Sequence, residues 1–86
     1  MSTHYAKYEK SLRLQRMLEL LLDGKKHTTL DIILKADICA VNSAAAELRV
    51  NGFNIRCDQK RPASYWLPDP AAARQLSSSL LAGKAA

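Results

Sequence analysis

The apolar positions of the chain change period once, near Phe53: before it they recur with helical spacing, and after it they alternate. Over residues 7–23, Tyr8, Leu12, Leu14, Met17, Leu18, Leu21 and Leu22 fall largely on i, i+3, i+4, i+7 spacing. That spacing predicts an amphipathic helix, and Gly24 is placed to end it. A second helix is expected over 30–36, N-capped by Thr28 or Thr29, with Ile32, Ile33 and Ala36 on its inner face. Asp37 breaks the pattern, and Ile38 is the apolar residue of a tight turn. A third helix is expected over 41–51, turning Val41, Ala45 and Leu48 inward. Asn51 and Gly52 stop it, since both residue types accept left-handed backbone geometry.

Beyond this point Phe53, Ile55 and Cys57 alternate with Asn54, Arg56 and Asp58, as a half-buried strand requires. The polar turn 59–63 leads to a returning strand, Ser64 to Leu67, that carries Tyr65 and Trp66. The two make a β-hairpin, and a short extended segment at His27 and Thr28 is positioned to add a third strand. The expected domain is therefore 7–69, between a disordered start over 1–6 and an Ala/Ser-rich tail over 70–86. The tail reads either as a marginal helix or as disorder. The fold class implied is α+β.

Composition narrows what such a domain is for. Eighty-six residues make one small unit, close to the size at which a single core suffices without staples. A net charge of +5 favours a polyanionic partner. The hairpin holds the largest local excess, with Arg56, Lys60 and Arg61 against Asp58. Cys39 and Cys57 form no disulfide framework, and Cys39 reads as a small buried hydrophobe beside Ile38. The N-terminal decapeptide lacks a signal pattern and no apolar run is long enough to span a bilayer, so a cytoplasmic protein without membrane association is expected.

Helix, helix, tight turn, helix, basic-tipped hairpin is the layout of a winged helix-turn-helix domain. The sequence resembles the small winged-helix proteins of phages and prophages. The residues that carry the likeness are Leu22 to Gly24, Thr28-Thr29-Leu30, Glu47-Leu48-Arg49, Gly52-Phe53, Ile55, and Tyr65 with Leu67. More distantly it is similar to the N-terminal DNA-binding domain of the biotin repressor. The resemblance implies a double-stranded DNA-binding transcriptional regulator, at work in a bacterial cytoplasm or a phage-infected cell. It departs from the phage proteins at Ala44, a position where they often carry arginine.

On that reading the third helix offers Asn42, Ser43, Ala44 and Ala46 to a major groove, with Asn42 able to pair with adenine, while Arg49 near its C-terminus can reach a phosphate. Arg56, Lys60 and Arg61 grip phosphates or a minor groove. Lys25, Lys26, Thr28 and Thr29 meet the backbone at the start of the second helix. Of Tyr65 and Trp66, one is expected to pack on the helices and the other to half-cover the sheet. His4, His27 and the two cysteines follow no zinc spacing, so no metal or cofactor is expected. Paired carboxylates, a phosphate loop and a nucleophile elbow are all missing from the sequence, which argues against an enzyme. Two alternatives remain: a protein-interaction module using Ala44, Ala46 and Val50, and a dimer that bends DNA architecturally. A homodimer is compatible with all three.

Overall fold

The computed structural model describes residues 6–83. Its first helix starts later than the apolar spacing predicts. Ser11 is in extended backbone and its hydroxyl accepts the N–H of Leu14, so Ser11 caps a helix, α1, that spans Leu12–Leu21. Ahead of it Tyr8–Lys10 forms a single 3-10 turn. Leu12, directly after the cap, stands 67% exposed, while Leu14, Met17, Leu18 and Leu21 form the buried face.

Strand β1 (His27–Thr28) leads straight into α2 (Thr29–Ala36). Thr28 is the N-cap, its hydroxyl accepting the Asp31 N–H at 3.1 Å. Asp37 closes the helix with φ 56°, and Ile38 is buried in the turn, as its position in the sequence suggests. Ile33 does not face inward. A helix this short buries only Ile32 and Ala36, one turn apart, and residue 33 lies about 100° around the axis from 32. Ile33 instead joins Leu30 and Leu34 in an exposed apolar stripe. Cys39 is exposed too, because the turn spends its one inward position on Ile38.

Helix α3 (Val41–Val50) starts from Ala40, whose φ is 49° and whose side chain can provide no cap. Val41, Ala44, Ala45 and Leu48 are its buried residues. Its C-cap differs from expectation: Asn51 keeps helical backbone (φ −78°), and Gly52 alone takes positive φ, at 104°. A Cβ on Gly52 would lie 3.2 Å from Leu76 Cδ2, a contact that a small shift of that side-chain tip relieves, so it is the positive φ that reserves the reversal into the hairpin for glycine.

Phe53 and Ile55 drop into the core before strand pairing begins. Strands β2 (Arg56–Cys57) and β3 (Ser64–Trp66) pair antiparallel, and β1 pairs with the other edge of β3. The sheet order is thus β1-β3-β2, with Tyr65 opposite both His27 and Cys57. With four α-helices and this three-stranded antiparallel sheet among the described residues, the fold is α+β.

Residues 70–83 are helical: α4 spans Pro70–Gly83. Asp69 caps it, its carboxylate accepting the Ala72 N–H at 3.1 Å, and Pro70 occupies the first turn, where its missing N–H costs nothing. Ala73 is buried, Leu76 and Leu80 pack on the core, and the Ser77 and Tyr8 hydroxyls hydrogen-bond at 2.8 Å. Packing against the domain supplies what the weak amphipathicity of this segment does not.

The incoming chain is also held down. Ala6, expected within a disordered start, donates its N–H to Glu47 Oε2 at 3.1 Å and accepts from Asn51 Nδ2 at 2.9 Å. Asn51 Oδ1 accepts the Tyr8 N–H at 2.9 Å, and the Tyr8 and Phe53 rings meet at 4.9 Å. Arg13 and Glu47 form a 2.8 Å ion pair that ties α1 to α3. His4 and the rest of 1–5, with 84–86, lie outside the described residues.

Candidate nucleic-acid interface

Strand β3 gathers the expected site. At its start, the Ala63 carbonyl accepts the Thr29 N–H at 3.1 Å, which fixes the beginning of α2 to the stem of the hairpin. At its middle, the Tyr65 hydroxyl donates to Asn42 Oδ1, which ties the same strand to the first turn of α3. Trp66, half-buried, carries Lys26 on its ring face, with Nζ 4.6 Å from the centroid. Three separate segments of the sequence are brought side by side this way: the start of α2, the first turn of α3, and the hairpin.

On α3 the exposed residues are Asn42, Ser43, Ala46, Arg49 and Val50. They follow i, i+1, i+4, i+7, i+8, which is one continuous stripe on a helix. Ala44 is not on it. Although predicted to meet a partner, it is 0% exposed, because Val41, Ala44, Ala45 and Leu48 are the i, i+3, i+4, i+7 positions of the opposite face. Arg49 is partly committed: its Nε donates to the Ile55 carbonyl at 2.8 Å, and its two Nη groups make no protein hydrogen bond among the described residues. Asn42 is committed as well, through Oδ1, and its Nδ2 meets no acceptor among the described residues.

The hairpin loop is organised by one carboxylate. Asp58 accepts the backbone N–H of Ser64 at 3.0 Å and of Lys60 at 3.2 Å. These two bonds, Ser64 first, hold its pKa below the ordinary 3.8. Lys60 and Arg61 are exposed at the tip, and Arg56 is exposed on β2 opposite Trp66. None of Lys25, Arg56, Lys60 and Arg61 takes part in an ion pair among the described residues. The internal pairs fall elsewhere, on Arg13–Glu47 and His27–Asp23.

The start of α2 is less open to a phosphate than its threonines suggested. Thr28 spends its hydroxyl oxygen as acceptor on the cap, and Asp31 places negative charge in the first turn. Lys25 and Lys26 are exposed beside it. His27 is buried at 6% exposure, with Nε2 2.9 Å from Asp23 Oδ2. Desolvation pushes the Asp23 carboxyl up, but the Lys25 N–H at 2.8 Å and the His27 ring together hold it below 3.8. By contrast the first turn of α3 has no acidic residue and no side-chain cap.

Two residues of the site were not singled out from the sequence for these contacts. Tyr65 is 3% exposed and packs inward, and it also positions Asn42; Trp66 holds Lys26. The sequence expects one of these two aromatics to pack inward, and the structure makes it Tyr65; no sequence signal names its partner on another element. Among the described residues, no helix is long and apolar enough to cross a membrane. Compared with protein-family models, curated proteins and solved structures, the chain gives no match.

Proposed function

We propose that this chain is a winged helix-turn-helix protein that binds double-stranded DNA, and that it regulates transcription in the manner of small phage and prophage proteins. The observation that carries the reading is the convergence on β3. The exposed stripe of α3, the start of α2 and a basic hairpin tip are neighbours, and the cations among them are unspent by ion pairs among the described residues. In this arrangement α3 enters the major groove with Asn42, Ser43, Ala46 and Arg49, while Arg56, Lys60 and Arg61 reach phosphates alongside. Small side chains at 43 and 46 permit close approach of the helix and supply little base code. Sequence preference then rests substantially on DNA shape and on half-site spacing in a dimer.

A gel-shift series in salt tests this. Binding should weaken steeply with salt, and Lys60→Ala with Arg61→Ala should reduce the log–log slope by about 1.8 if each cation neutralises one phosphate. Absence of duplex binding even at low salt would overturn the proposal.

A second reading, a protein-interaction module, is supported by the stripe Leu30, Ile33 and Leu34 on α2, which are 61%, 37% and 70% exposed. Its occupant on this reading is a second copy of the chain. In an antiparallel pair of α2 helices, Asp31 of each copy meets Lys35 of the other on the same flank, so the face is self-complementary. Leu34→Glu should then convert a dimer to a monomer in sedimentation, and a wild type that is monomeric at high concentration would exclude it.

A further inference from the structure

On the exposed stripe of α3 the side-chain amide of Asn42 offers a donor and an acceptor on two separate atoms, whereas the Ser43 hydroxyl carries both on one oxygen. An asparagine that reads adenine uses both ends at once, accepting from N6 through Oδ1 and donating to N7 through Nδ2. Here Oδ1 is turned into the domain to accept the Tyr65 hydroxyl, from a residue that is 3% exposed. The carboxamide is planar, so fixing Oδ1 inward leaves Nδ2 directed away, and no group among the described residues accepts from it.

We propose that Tyr65 is a positioning residue that turns the donor end of Asn42 toward a base, selecting the acceptor edge of guanine over adenine. The inference rests on the DNA-binding reading above. Guanine presents two acceptors in the major groove, O6 and N7, whereas adenine places the N6 donor beside N7. An amide presented by its Nδ2 end is satisfied by the first and meets a like donor in half of the second. Burial, and then the adjacent Cys57 thiol, push the Tyr65 hydroxyl above its ordinary 10, so it keeps the proton it donates. Tyr65 also pairs in register with His27 and Cys57, which fixes its ring at the centre of the sheet and gives the lock a rigid base.

The test is selection from duplexes randomised across the binding site, with wild type, Tyr65→Phe and Asn42→Ala run in parallel. Wild type should enrich guanine at one position. Tyr65→Phe frees both ends of the amide and should move that position toward adenine by roughly tenfold, the order of discrimination that one two-point contact provides. Asn42→Ala should erase the preference while leaving the fold intact, since residue 42 is exposed. A wild type that prefers adenine there, or the same preference in Tyr65→Phe, would overturn the inference with DNA binding itself intact. If no variant binds any duplex, both this inference and the DNA-binding proposal fall. The lock can be read without DNA: the Asn42 side-chain NH2 resonances should shift in Tyr65→Phe, and unchanged resonances would refute the positioning.

Discussion

Asn51 does more to hold the start of the chain than any residue near it, and Asn51→Ala should expose how much. Its amide accepts from the Tyr8 N–H at 2.9 Å, and donates to the Ala6 carbonyl at 2.9 Å and the Glu47 carbonyl at 2.7 Å. The Glu47 carbonyl keeps a second partner, the Asn51 N–H at 3.1 Å, so its loss is small. The other two groups lose the side-chain partner the fold gives them. Each such hydrogen bond is worth about 1 kcal/mol net, and an orphaned group under a nearly buried Tyr8 costs more than one that water can reach. Alanine gains a few tenths of a kcal/mol in helix propensity, which offsets part of this. The balance is a loss of about 2 kcal/mol, or roughly 8–16 °C in Tm for a domain of this size. Urea unfolding measures it, and hydrogen exchange at the Tyr8 amide localises it. Glu47→Ala frees the same segment through Ala6, so the double variant should lose less than the sum of the single ones. A stability change within 0.5 kcal/mol of zero, as is usual for surface substitutions, would refute the clamp.

The remaining predictions concern α3 and the hairpin. Ala44→Glu buries a charge at a fully enclosed position and should cost at least 3 kcal/mol by denaturant unfolding or prevent folding, while Ala46→Glu, two residues on and exposed, should leave stability within about 0.5 kcal/mol but weaken duplex binding. Because the Asp58 carboxyl is held below its ordinary 3.8, the order it gives the hairpin loop is complete above that value and is lost as pH falls through its lowered folded value. Amide exchange at Lys60 and Ser64 should therefore quicken in acid beyond the intrinsic trend, and Asp58→Ala should abolish the transition. The hairpin salt-slope experiment and the Asn42 selection complete the set.

What the sequence determines here is mostly periodic and local. Helical spacing marks Leu14, Met17, Leu18, Leu21, Ile32, Val41, Ala45 and Leu48 as buried, and alternation does the same for Phe53 and Ile55, while the choice between Tyr65 and Trp66 is left to the fold. Ile38 in the turn and Gly52 at the pivot follow from backbone chemistry that needs no partner. Where these readings fail, the cause is non-local or a matter of phase. Ser11 ends the first helix's pattern because a hydroxyl cap outweighs one more apolar turn. Ala44 and Ile33 exchange their expected places because the width of a buried face is set by the helices it packs against. Alanine in particular is small enough for either side.

The tertiary structure decided the rest. It made a helix of 70–83 by giving Ala73, Leu76 and Leu80 a surface to cover, and it drew Ala6 and Tyr8 onto the end of α3. It also turned Asn42 Oδ1 toward Tyr65 and left Lys60 and Arg61 exposed and without an ion pair among the described residues. Composition reveals that a chain carries asparagines and cations, but which of their hydrogen bonds and charges are already spent depends on partners tens of residues away. Only the folded chain brings those partners within 3 Å.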